Sequence, residues 1–173
     1  MTRATMQVEL AERRVILSRD FDFPRELVFR AWTESAALTR WWGPHGFDTE
    51  VVENDLRVGG AYHFIMRDAE GNAYPVRGRY TLIDPPDRLE MTDDFSCMPP
   101  DWLAEHARDE LARGEPIENR SVLLLEDLGE GRTRLRLEIL CVNNSLRDGL
   151  VAAGMNDGWG ESFEKLDTWL ATA

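Results

Sequence analysis

The stretch Arg19-Asp20-Phe21-Asp22-Phe23-Pro24-Arg25-Glu26-Leu27-Val28-Phe29-Arg30-Ala31-Trp32-Thr33 holds the change of period on which the fold turns. Upstream, Val8 to Arg19 mixes polar and apolar residues around Val15, Ile16 and Leu17 and reads as a first strand ending before Asp22 and Pro24. Pro24 suits the first turn of a helix, where its missing N–H would have no partner anyway. Leu27, Val28, Ala31 and Trp32 repeat at helical spacing, so a short helix should run to Trp32. A second short helix is expected from Glu34 to Trp42, with Thr33 as N-cap and Gly43-Pro44 as its stop.

Beyond Pro44 the period becomes strand-like, over Phe47 to Val52, Ala61 to Arg67, Val76 to Ile83 and Arg88 to Phe95. The turns between them are Gly59-Gly60, Glu70-Gly71-Asn72 and Asp84-Pro85-Pro86. Alternation puts Tyr62, Phe64 and Met66 on one face, Tyr80 and Leu82 on the same side of the next strand, and Leu89, Met91 and Phe95 on that of the one after. Cys97 to Asn119 interrupts the pattern with Pro99-Pro100 and a helical run from Asp101 to Arg113, ending at Gly114. Strands resume at Arg120 to Asp127 and Arg132 to Val142 around Gly129-Glu130-Gly131, the second with Leu135, Leu137, Ile139 and Cys141 inward. Arg79 and Arg136 fall on the opposite, solvent-facing parity.

A long terminal helix is expected from Ser145, which with Asp148 resembles a capping box. Leu146, Leu150, Met155, Trp159, Phe163, Leu166 and Leu170 form a stripe that should cover the apolar sheet face. Gly149, Gly154, Gly158 and Gly160 fall inside this helix, although each costs roughly 0.5–1 kcal/mol relative to alanine. Close backbone packing accounts for them, or room left for a ligand beside Trp159. The expected class is α+β: an antiparallel sheet of about six to seven strands curved around the terminal helix, with two short helices after the first strand. Residues 1–173 read as one domain, with an inserted helical segment at 97–119.

Acidic residues outnumber basic ones by 32 to 20, a net charge of -12 that opposes phosphate backbones and anionic lipid, so no nucleic-acid or membrane partner is expected. Met1 to Leu10 lacks the basic and apolar regions of a secretory signal, and no apolar run approaches the ~20 residues of a membrane span, so a cytoplasmic location is expected. Cys97 and Cys141 are too few and too far apart for a disulfide framework or a zinc site; Cys141 reads as core and Cys97 as loop.

Chemical signatures are sparse. His45, His63 and His106 are isolated, with no metal-ligand spacing, so neither metal nor cofactor is expected. No nucleophile motif occurs, and no catalytic residue is assigned. Asp93-Asp94 close a strand and read as solvated acids; the alternative is a buried carboxylate able to act as acid or base. The aromatic set Trp41, Trp42, Tyr62, Phe64, Tyr80, Phe95, Trp102, Trp159 and Phe163 should surround or cap the space between sheet and helix.

The run Arg19 to Phe29, then Ala31-Trp32-Thr33 and Arg40-Trp41-Trp42-Gly43-Pro44, closely resembles the opening of the activator of Hsp90 ATPase homologue 1-like (AHSA1-like) family of the START/Bet v 1-like (SRPBCC) superfamily. Asp55-Leu56-Arg57-Val58-Gly59-Gly60-Ala61-Tyr62, Gly78-Arg79-Tyr80, Pro85-Pro86-Asp87-Arg88-Leu89 and Gly158-Trp159 with Leu166 continue it in the family's order. The resemblance covers nearly the whole chain, residues 97–119 being least typical. It implies a helix-grip fold enclosing a cavity, used in different members for lipid binding, polyketide cyclisation, hydrolysis or co-chaperone contact.

Residue parity and resemblance together lead to an expected function of binding a small hydrophobic or aromatic molecule. The expected pocket wall is Trp41, Tyr62, Phe64, Tyr80, Met91, Phe95, Met155, Trp159 and Phe163. One alternative is a cavity enzyme of cyclase or hydrolase type using a buried Asp or Tyr. Another is a module that contacts an Hsp90-type chaperone, and related folds also pair as homodimers.

Overall fold

In the computed structural model, which describes residues 4–173, the run read as one first strand is a hairpin of β1 (Gln7–Ala11) and β2 (Arg14–Phe21). The chain reverses at Glu12-Arg13, where Arg13 takes a left-handed φ of 55° without the glycine that would announce it. Expectations resting on Met1, Thr2 and Arg3 lie outside the described residues. Two short helices follow, α1 (Arg25–Thr33) and α2 (Ser35–Trp41). Pro24 sits just before the first helical residue, in an extended conformation, and its carbonyl accepts from the Leu27 and Val28 amides. The cap of α2 is Glu34, not Thr33; the Thr33 hydroxyl turns back to donate to the Phe29 carbonyl at 3.0 Å, ending α1 instead.

The remaining strands are β3 (Asp48–Asn54), β4 (Ala61–Arg67), β5 (Ala73–Asp84), β6 (Arg88–Asp94), β7 (Glu118–Gly129) and β8 (Arg132–Leu140). With the opening hairpin they form one antiparallel sheet in the order β1-β2-β8-β7-β6-β5-β4-β3. The eight described strands exceed the expected six to seven because of that extra hairpin. The inserted segment forms two helices, α3 (Pro100–His106) and α4 (Arg108–Arg113), broken at the buried Ala107. The Phe95 amide donates to the Ile117 carbonyl at 2.9 Å and pins the base of the insertion.

The terminal segment is likewise two helices, α5 (Asn144–Ala152) and α6 (Met155–Leu170). Asn143, rather than Ser145, caps the first: its side chain accepts from the Leu146 amide at 2.7 Å. The break falls at Gly154, whose φ of 93° no helix tolerates and which a Cβ would penalise. Gly149 packs against the His106 imidazole, where a Cβ would come within 2.8 Å of the ring.

Helix α6 lays Phe163, Leu166 and Leu170 on the sheet, completing a core that includes Phe21, Trp32, Trp41, Tyr62, Phe64 and Tyr80. Burial of such rings is the dominant favourable term, roughly 25 cal/mol per Å² of apolar surface removed from water. One sheet gripping the terminal helix is thus present, as the alternation of β4, β6 and β8 requires. No helix among the described residues is long and apolar enough to cross a membrane.

Candidate ligand cavity

Near the α5–α6 break the helix layer stops filling the space over the sheet, leaving a cavity of about 390 Å³. Its helical side is Leu150, Ala153, Gly154, Met155, Gly158, Trp159 and Ser162; its sheet side is Met66, Tyr74, Pro75, Val76, Asp93, Asp94 and Phe95. The Trp42-Gly43-Pro44 turn and the Cys97-Met98 loop complete the wall. The size lies within the roughly 300–1,000 Å³ of small-molecule sites, and the lining is mostly apolar.

Three of the expected wall residues, Phe95, Met155 and Trp159, line this space. The structure puts Trp41, Tyr62, Phe64, Tyr80, Met91 and Phe163 in the packed core beside it instead. Their polar tips are satisfied inside the protein. The Trp41 indole N–H donates to the Ala31 carbonyl at 2.8 Å, the Tyr80 hydroxyl to Asn54 Oδ1 at 2.7 Å, and the Tyr62 hydroxyl to the Thr92 carbonyl. Burial also drives both tyrosine pKa values upward, so neither phenol is prepared to give up a proton. Parity identified an inward face correctly but does not tell a filled part of that face from an open one.

Trp42 is the cavity tryptophan of the Trp41-Trp42 pair, since α2 ends between them and the extended backbone of Trp42 sends its ring another way. That ring meets Trp159 edge-on at 5.3 Å, Trp32 at 5.8 Å and Phe64 at 5.2 Å between centroids. Thr49 Oγ1 donates to the Trp42 carbonyl at 2.5 Å, and the Lys165 ammonium to the Gly43 and Phe47 carbonyls at 3.1 and 3.4 Å. The turn is therefore held to both β3 and α6.

The two neighbouring acids behave differently, which corrects their reading as a solvated pair. Asp94 carries an ion pair with Arg77 at 3.5 Å and accepts from the Ser96 amide at 2.8 Å; burial opposes its ionisation, but these partners outweigh it and hold the carboxyl low. Asp93 continues the inward alternation of Leu89 and Met91 and faces the cavity, and no group among the described residues hydrogen-bonds its carboxylate. Burial first, then the negative charges of Asp94 and Glu118, push it up to about 7.

Opposite Asp93 in the β6–β7 register stands Asn119, 1% exposed, with both amide atoms lacking a hydrogen-bond partner. Its company on β8's end is the Cys141 thiol, a weak partner whose own pKa burial raises to about 11. A buried thiol held neutral in this way is no nucleophile. Asp93 and Asn119 put a polar pair on a sheet face that is mostly apolar.

A wider surface cleft of about 690 Å³ lies between α3 and α5, beside Trp102, His106 and Ser145. Ser145 Oγ and His106 Nδ1 are 3.2 Å apart, and the exposed Glu105 is 3.8 Å from the other ring nitrogen. Without a buried carboxylate to orient the ring, this falls short of a nucleophile triad. His45 is engaged with Glu164 at 2.9 Å, and no group of three or more potential ligands among the described residues could hold a metal ion.

Comparison with known proteins places the fold. A solution structure of a protein from Arthrobacter aurescens is 24% identical, with a TM-score of 0.81 over 96% of this chain and 92% of that one. A crystal structure of a Nitrosomonas europaea protein is 26% identical, with a TM-score of 0.74 over 95% and 97%. An AHSA1 protein from Silicibacter pomeroyi is 26% identical, with a TM-score of 0.65 over 92% and 98%. No curated protein matches the chain. The family profile described as activator of Hsp90 ATPase homolog 1-like protein matches residues 22–171, which include every residue that lines the cavity and six of the eight described strands, and the chain belongs to that family.

Proposed function

We propose that this protein binds a small apolar or aromatic molecule in the cavity between β4–β6 and the α5–α6 break. The observation that supports this is a 390 Å³ space lined by Trp42, Trp159, Phe95 and three methionines beside the packed aromatic core. An open, mostly apolar hollow of this size holds water against apolar side chains, and an apolar occupant would release that water. Retaining the space is consistent with an occupant.

Trp42 and Trp159 report on occupancy, so the test is intrinsic fluorescence together with thermal shift against lipid and polycyclic aromatic libraries. Compounds that bind should raise the melting temperature and change tryptophan emission. Gly158→Leu, which adds a side chain to the helical wall, should abolish both responses while leaving a folded protein. Absence of any binder, or undiminished binding by Gly158→Leu, would remove the proposal.

A second reading rests on Asp93. A carboxyl near pH 7 inside a cavity is suited to proton transfer to or from a bound ligand, which is acid/base catalysis of the cyclase or hydrolase kind. Turnover of a bound compound that Asp93→Asn still binds but no longer converts would establish it.

A further inference from the structure

The cavity wall is chemically one-sided. Two carboxylates, Asp93 and Asp94, belong to it, and none of its lining residues is Lys, Arg or His. The cations close by are already engaged: Arg77 with Asp94 at 3.5 Å, Lys165 with the Gly43 and Phe47 carbonyls, and Arg147 with Asp148 and the Ala11 carbonyl. The apolar part is dominated by π faces and sulfur, with Trp42, Trp159, Phe95 and Tyr74 supplying rings.

Taking the cavity to be a ligand site, as argued above, we propose that it selects an organic cation, an amine whose ammonium is held at Asp93 while its apolar body lies against Trp42 and Trp159. A carboxylate without a counter-charge in a mostly apolar cavity is costly, and an ammonium supplies the missing partner. The rings attract the same charge through their quadrupoles. An anionic ligand would meet Asp93, Asp94 and Glu118 together, and a neutral one would leave the Asp93 charge uncompensated.

Proton balance gives the proposal a signature. The groups that face Asp93 are the Asp94 carboxylate on its own strand, the Glu118 carboxylate on β7, the Cys141 thiol just after β8 and the Tyr62 phenol on β4, so the charges around it are negative. With its carboxyl near 7, Asp93 is partly protonated at neutral pH and must release that proton when an ammonium docks. Affinity for the amine should therefore rise with pH from 6 to 8, whereas a neutral isostere should show no such gain.

The experiment is calorimetry with 1-naphthylmethylamine and its neutral isostere 1-naphthalenemethanol, on the wild type, Asp93→Asn and Gly158→Leu, at pH 6 and pH 8 in buffers of different ionisation enthalpy. The expected result is about tenfold or greater preference for the amine at pH 8, with proton release, narrowing at pH 6. Asp93→Asn should bind both compounds alike, and retained binding of the alcohol shows that this variant is folded. The proposal is overturned if the alcohol binds as tightly as the amine at pH 8, or if the amine's advantage survives in Asp93→Asn. Binding of the alcohol that is lost in Gly158→Leu keeps the cavity as a ligand site even then; failure of both compounds overturns both readings.

Discussion

The indole of Trp32 on α1 stacks on that of Trp159 on α6, with ring centroids 5.8 Å apart and planes within 12° of parallel. Trp32 is fully buried and Trp159 is a wall of the cavity, so the same side chain joins the core to the open space. Trp159 also meets Trp42 and Phe163 at 5.3 and 5.6 Å. Trp159→Ala should lower stability by about 3 kcal/mol, combining lost burial with lost ring contacts, while Trp159→Phe should cost roughly a third of that. Urea denaturation measures both, and a Trp159→Phe cost equal to that of Trp159→Ala would show that aromatic bulk alone does not replace the indole.

The four glycines of the terminal segment do not share one cause, and substitution should separate them. Gly154 carries a φ of 93° at the break between α5 and α6, so Gly154→Ala should destabilise by about 1 kcal/mol. Gly158 lies inside α6, where an added Cβ would meet only Pro44 Cγ at an ordinary 3.7 Å. Gly158→Ala should therefore stabilise by roughly 0.5–1 kcal/mol, with the cavity slightly reduced. Thermal melts that shift in the same direction for both variants would contradict a two-helix segment.

These glycines also show where sequence reading reaches its limit. The strand β4 is legible to its ends because Tyr62, Phe64 and Met66 alternate with polar neighbours and Gly59-Gly60 marks its entry. The hairpin at Glu12-Arg13 is not, since its turn uses a left-handed arginine rather than glycine or asparagine. The helix break at Gly154 is hidden among three other glycines that lie within helices. Asp93 was within reach: the inward alternation of Leu89 and Met91 carries on to it, and only the polarity of the residue argues for solvent. Whether an inward ring packs or lines a cavity depends on how far α6 sits from the sheet, which no local pattern encodes.

Arg19 ends a stretch that reads as plain strand, yet its guanidinium is buried, 3.5 Å from the Asp167 carboxylate and 4.8 Å from the centre of the Phe21 ring. It ties β2 to α6. Arg19→Met removes a charge-assisted contact whose Arg19 side is buried and whose Asp167 side is partly exposed, so it should destabilise by about 1.5–3 kcal/mol. Adding Asp167→Asn to Arg19→Met should restore part of the loss, and a double-mutant cycle reads the coupling directly. Simple additivity of the two substitutions would refute the tie.

Asp93 makes stability depend on pH in a direction opposite to that of most carboxylates. Its carboxyl is at about 7 in the folded chain, against an ordinary value of 3.8 that the unfolded chain should approach. Between these values the native state holds a proton that the unfolded state has released. Its contribution is thus fully present below pH 3.8 and lost as pH rises through 7. A shift of this size corresponds to at most about 4 kcal/mol, and water entering an open cavity screens part of it, leaving roughly 2 kcal/mol. Asp93→Asn keeps the shape without the charge, so its advantage over the wild type should grow by about that amount from pH 4 to pH 8. Acids far from Asp93 titrate alike in the two proteins, so the difference between their unfolding free energies isolates this group together with its coupling to Asp94 and Glu118. A difference that stays flat across the interval would mean that Asp93 is hydrated and ordinary, and an ammonium ligand would then have no buried charge to neutralise.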